Sequence, residues 1–152
     1  MKRSYFLTVI LAAFVLPFSG CVSGKADMER IVAAMDQQDS HEHEGVMRKF
    51  IEKARSGDLA GMMALTSKVT IKMTGGEEKQ RQHYLSDTIP ALKLFGSVAP
   101  GGDSKFGPDE YDHYGWAFKR TFLAADGRQA KLQFTIMRED GQLVVAYFGL
   151  WQ

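Results

Sequence analysis

From Val46 the apolar residues recur at helical spacing. Val46, Met47, Phe50, Ile51 and Ala54 form one stripe, which predicts an amphipathic helix that Gly57 can end. Asp58 is placed to cap a second, short helix carrying Leu59, Met62, Met63 and Leu65. Next, Val69, Ile71 and Met73 alternate with Thr70, Lys72 and Thr74, the pattern of a half-buried strand. Thr74-Gly75-Gly76-Glu77 fits a capping box that opens a further helix, with Leu85, Ile89, Leu92 and Phe95 on one face. Pro90 lacks an N–H and crowds the preceding turn, so it should kink or divide that helix. Gly96 is its natural end, and residues 97–110, with two prolines and three glycines, read mostly as loop.

The last third predicts three strands, Tyr111 to Ala125, Gln129 to Glu139 and Gln142 to Trp151, rich in aromatic and β-branched residues. Asp126-Gly127 and Asp140-Gly141 separate them, and Asp-Gly between alternating runs signals a hairpin. In the first strand Tyr114, Trp116, Phe118 and Phe122 share a face. Leu132, Phe134 and Ile136 in the second face opposite to Lys131, Gln133 and Thr135. The third is apolar on both faces (Val144, Ala146, Phe148, Leu150 and Val145, Tyr147, Trp151), which suits a central or doubly covered strand. Helices first and an antiparallel meander last define an α+β class.

Before Val46 the chain changes character. Lys2 and Arg3 precede an uncharged apolar run from Tyr5 to Phe18. A membrane-crossing helix needs about 20 apolar residues, so this shorter run predicts a signal peptide over residues 1–20. Phe18-Ser19-Gly20-Cys21 resembles the lipobox of bacterial lipoproteins, with Phe18 standing where the family prefers an aliphatic residue. That resemblance implies cleavage before Cys21, diacylglycerol on its thiol and acylation, for example by palmitate, of the new amino group. Two or more acyl chains anchor a protein stably where one does not. Val22 stands where the family's inner-membrane retention aspartate would be, which points to the outer membrane, facing the periplasm. Residues 21–45 are polar and form the lipidated cysteine and tether. Met28, Ile31, Val32 and Met35 have helical spacing within it.

The 152 residues carry 19 basic and 18 acidic side chains, for a formal net charge of +1. That balance gives no footprint for nucleic acid. One cysteine allows neither an internal disulfide nor a thiolate zinc cluster.

The order of helices, strand, kinked helix and long-stranded meander over residues 46–152 resembles the nuclear-transport-factor-2-like, or cystatin-like, superfamily. The stretches that carry the resemblance are Phe50-Ile51-Glu52-Lys53-Ala54-Arg55-Ser56-Gly57-Asp58-Leu59, Pro90-Ala91-Leu92 with Phe95-Gly96, and Gly115-Trp116-Ala117-Phe118 leading to the two Asp-Gly turns. It implies N-terminal helices packed in a strongly curved antiparallel sheet, a cone with an apolar cavity. Members include isomerases, dehydratases, cyclases and non-enzymatic binding domains, so the fold alone does not decide function. Sheet-face dimers are frequent in that superfamily, which raises a homodimer here.

Asp109-Glu110-Tyr111-Asp112-His113-Tyr114 is the richest titratable cluster. An isomerase or dehydratase of this fold needs a base and a donor to the developing oxyanion, and Asp112 and Tyr114 are the catalytic candidates. The plainer account is a polar loop entering a strand. Trp116, Phe118 and Phe134 are candidates to line a pocket, or else core. His83 and Asp87, four apart on a helix, can meet, most simply as a solvated pair. His41-Glu42-His43-Glu44 alternates imidazole and carboxylate but lacks the i, i+4 histidine spacing of a metalloprotease, and it reads as charged linker. The methionines make no tight cluster and read as core filler. Neither a metal nor another cofactor is expected.

The expectation is an envelope lipoprotein whose non-catalytic binding or accessory domain holds a small apolar ligand or a partner protein. The alternatives are a cofactor-independent isomerase or dehydratase, and an inhibitor or immunity-type lipoprotein.

Overall fold

A computed structural model describes residues 40–108 and 114–150. Cys21, the tether before Ser40 and Asp112 lie outside the described residues.

Helix α1 spans Ser40–Ser56, starting before the predicted Val46. His43 explains the difference. It stands one turn ahead of Met47 on the same stripe as Phe50, Ile51 and Ala54, and it is buried with them. Gly57 follows with φ 76°, and Asp58 then caps α2 (Leu59–Ala64) by accepting from the Gly61 amide.

The alternating run that predicted a strand is instead helix α3, Lys68–Thr74. Its ends carry the reason. Ser67 accepts from the Thr70 amide at 3.1 Å, and Gly75 closes the helix in the left-handed region at φ 97°. Gly76 N–H reaches back to the Ile71 carbonyl, so two strong caps override a short β-branched alternation. The predicted capping box does not form. Thr74 belongs to α3, its hydroxyl lies against the Thr70 carbonyl and Gln80 Oε1, and Gly76 caps α4 (Glu77–His83) without a side chain.

The helix is divided at Pro90, as its sequence predicts. A π-helical turn, Tyr84–Thr88, joins α4 to α5 (Ile89–Leu94), with the Ile89 amide bonded to the Tyr84 carbonyl. A proline inside a regular α-helix crowds the carbonyl four residues back. The wider turn relieves that contact, and α5 begins with Pro90 in its first turn.

The sheet is antiparallel and strongly curved, a half-barrel closed around the helices. Its main path runs β1 (Ser97–Val98), β3 (Tyr114–Leu123), β4 (Gln129–Glu139), β5 (Gln142–Leu150), and β2 (Ser104–Pro108) also pairs with β3. The two short strands occupy the stretch predicted as loop. Both hairpins form, and Asp140 (φ 50°) with Gly141 (φ 79°) makes the β4–β5 turn, where left-handed backbone at both central positions matches the strand twist.

The predicted face assignment holds along β3 and β4 and breaks in β5. Thr135 pairs with Tyr147 but Ile136 pairs with Val145, so Ala146 is an extra residue in a β-bulge. The bulge moves Val145 onto the same face as Phe148, next to Ile136 and Phe134. Beside it, Ser67 N–H and Leu65 C=O bond to Val145, which joins residues 65–67 to the sheet edge.

The core lies between α1, the π turn, α5 and the concave face of the sheet. Its centre is Phe50, Phe118, Phe122 and Phe134, each 0–1% exposed. Phe50 meets Tyr84 and Phe134 edge-on at 5.7 and 6.3 Å between ring centroids, and Phe148 lies 4.8 Å from Phe134.

Candidate functional site

Trp116, Phe118 and Phe134 all lie on the concave face, where the resemblance would put a cavity wall. Trp116 stacks on Phe118 at 6.2 Å and meets Phe106 edge-on. A side chain lining a cavity that admits water keeps some accessible surface, and Phe118 and Phe134 keep almost none. The side chains around them fill that part of the concave face. Tyr114 is half-buried at the start of β3, opposite Pro108 of β2.

Two of the clefts among the described residues lie beside this packed centre. The first lies between α3, α4 and the β5 bulge and measures about 160 Å³. Thr70, Thr74, Gln80, His83, Tyr84 and residues 145–148 line it. The bulge presents the Ala146 carbonyl, which accepts from the Thr70 hydroxyl at 2.6 Å. Thr66 donates its only hydroxyl proton to the Met62 carbonyl, so the 2.8 Å contact between Thr66 Oγ1 and Tyr84 must be donated by the phenol. Burial pushes the Tyr84 phenol up to about 12, and a hydrogen bond that the phenol donates favours the neutral form as well. Tyr84 is therefore a neutral group at physiological pH, tied to the protein's own acceptors. His83 and Asp87 do meet, at 3.0 Å, as an exposed pair. Hydrogen bonds from Ser86, and then His83, lower the Asp87 carboxyl.

The second cleft is larger, about 290 Å³, and lies where the N-terminal half of α1 faces the loop between β1 and β2. Glu44, Met47, Arg48 and Ile51 contribute from α1, residues 98–102 from the loop, and Arg120 from β3. Arg120 is the charged member of an otherwise aromatic face and is 9% exposed. Its guanidinium stands 5.3 Å from the centre of the Phe118 ring. Burying a cation is costly unless its protons find acceptors. Nη1 donates to the carbonyls of Asp103 (2.8 Å) and Lys119 (3.0 Å), and Nη2 to Ser104 Oγ (3.0 Å). Gly102 makes this clamp possible. It has φ 124°, and a Cβ there would sit 2.3 Å from the Lys119 carbonyl oxygen, so only glycine lets the loop close. Glu44 Oε1 bridges the cleft, 2.7 Å from Arg48 Nη2 and 3.7 Å from Arg120 Nη2.

Sequence reasoning missed this cleft. A single arginine in the alternating row Tyr114, Trp116, Phe118, Arg120, Phe122 was the available signal, because a charge at a core position demands a partner. Among the described residues no group of three or more His, Cys, Asp or Glu side chains is placed to hold a metal ion. No described helix is long and apolar enough to cross a membrane. The architecture, helices against a strongly curved antiparallel sheet, is compatible with the nuclear-transport-factor-2-like or cystatin-like arrangement. Comparisons of the chain with protein-family models, with curated proteins and with solved structures find no match.

Proposed function

We propose that this chain is an outer-membrane lipoprotein, held by acyl chains on Cys21, whose α+β domain is a non-catalytic recognition module for a partner. The observation that carries the recognition half is the packed concave face. Phe50, Phe118, Phe122 and Phe134 occupy the space that a small apolar ligand would need. Ligand pockets hold drug-sized molecules in about 300–1,000 Å³; among the described residues these two clefts, about 160 and 290 Å³, lie at or below the low end of that range and are open. Such clefts suit the grasp of a protruding group of a partner better than enclosure of a whole ligand.

The anchor is tested by metabolic labelling with palmitate followed by fractionation. The expected result is a labelled membrane-bound chain, and an unlabelled, unprocessed or soluble one for Cys21→Ser. A Cys21→Ser chain that is still labelled overturns the anchor. Recognition is tested by photo-cross-linking in the intact envelope from a probe at Pro100, an exposed residue of the second cleft, with a probe at the exposed Leu94 as comparison. A discrete adduct from Pro100 alone is expected. Adducts of equal yield and pattern at both positions refute a defined binding face.

A further inference from the structure

We infer that the cleft between α1 and the β1–β2 loop binds a carboxylate whose neighbouring group is apolar. Its source is the free C-terminus of a polypeptide or a small organic acid. This deepens the proposed recognition role and rests on it. The buried cation carries the argument. Arg120 is fixed by three acceptors on one side, the carbonyls of Asp103 and Lys119 and the hydroxyl of Ser104. Each guanidinium Nη carries two protons. Nη1 spends both on carbonyls, while Nη2 spends one on Ser104, leaving one. The carboxylate oxygen of Glu44 stands 3.7 Å from that nitrogen, within ion-pair range and beyond hydrogen-bond length. Glu44 makes its short contact to Arg48 instead.

The charges around the cleft are two guanidinium groups and one carboxylate, a surplus of one positive charge that matches a monoanion. Glu44 shows that a carboxylate fits between these arginines. Val98 and Pro100 offer apolar surface to a side chain next to the ligand's carboxylate, with the buried Met47 and Ile51 directly behind the cleft wall. The volume, about 290 Å³, suits a residue-sized group. Because Gly102 and the clamp hold Arg120 before any ligand arrives, the strongest donor is already oriented, which lowers the ordering cost of binding. Arg48 is the opposite case, with a side chain 69% exposed, able to exchange its bond to Glu44 for one to the incoming carboxylate.

Met47 borders the cleft and gives the test a local reporter. The full chain in detergent micelles, labelled with ¹³C at the methionine methyls, is titrated with N-acetyl-leucine, with N-acetyl-leucinamide and with a short peptide ending in leucine. Both acids are expected to move the Met47 methyl signal saturably, with Kd on the order of 1 mM or tighter, and the amide at least tenfold more weakly. A peptide that binds several-fold tighter than acetyl-leucine assigns the ligand as a chain terminus, and equal affinities assign a small acid. Arg48→Gln is expected to weaken the acids at least fivefold, and Glu44→Gln to tighten them, with the other methionine signals unmoved. A Met47 signal that ignores the acids, or follows acid and amide equally, overturns the inference. If envelope cross-linking from Pro100 still yields its adduct in that case, recognition stands and only the carboxylate is lost.

Discussion

Phe134→Ala tests whether the concave face is solid. Phe134 is 0% exposed and has ring centroids of Phe50, Phe122 and Phe148 at 6.3, 6.2 and 4.8 Å. Truncation removes a ring of about 100 Å³ from a packed interior, and at about 24 cal/mol per Å³ of residual cavity this alone costs about 2.4 kcal/mol if nothing collapses. Lost transfer energy adds to that, so a total of about 3–5 kcal/mol is expected, as for other buried Phe→Ala changes. A domain of this size has about 5–15 kcal/mol to lose, so the variant should still fold. Urea unfolding should show a lower midpoint with an unchanged slope. The dry apolar hole should also take up benzene, as engineered cavities do, and benzene should recover part of the loss. Were Phe134 instead the wall of a ligand cavity, truncation would merely enlarge a space already there. A loss below about 1 kcal/mol with no benzene effect would refute the packed-core argument.

Other predictions concern single contacts. Tyr84→Phe should cost about 1–2 kcal/mol, because Thr66 keeps its bond to the Met62 carbonyl. The same variant should flatten the alkaline pH profile. The phenol titrates near its ordinary 10.0 when unfolded and at about 12 when folded, so its contribution is complete below pH 10 and lost between 10 and 12. The wild type should lose about 1.4 kcal/mol per pH unit more than the variant in that window, and parallel profiles would contradict the burial argument. Ser67→Ala should cost about 1 kcal/mol in urea unfolding through loss of the α3 cap; no change would mean that the cap does not select helix there. Gly102→Ala should cost about 2 kcal/mol or more, by steric clash and positive φ together; wild-type stability would show that the loop does not clamp Arg120.

Much of the fold was legible in the sequence because several signals agreed. The stripe Met47, Phe50, Ile51, Ala54 and the Asp58 cap gave the first two helices, and the Asp-Gly turns fixed both hairpins. Residues 68–74 misled because Val69, Ile71 and Met73 alternate like a strand, whereas Val69 and Met73 are in fact exposed on a helix that its caps define. A bulge at Ala146 is invisible where both faces of a strand are apolar. The edge strand β2 hides behind Gly107 and Pro108, residues that an edge tolerates and a central strand does not. The candidate site was harder. Its key residue, Arg120, looks like an interruption of an aromatic row until the loop that satisfies it, more than a dozen residues earlier in the chain, is folded against it.

The proposed recognition acts through the flanks of the domain, around a filled interior. Native mass spectrometry of the full chain, extracted from envelope membranes in detergent, tests it most directly. The expected result is the mass of the processed chain with its acyl groups, alone or with a protein partner. A carboxylate held at about millimolar affinity dissociates before detection. A reproducible extra mass on the order of a few hundred daltons, released only when the protein unfolds, would mean an enclosed apolar ligand and would contradict the account.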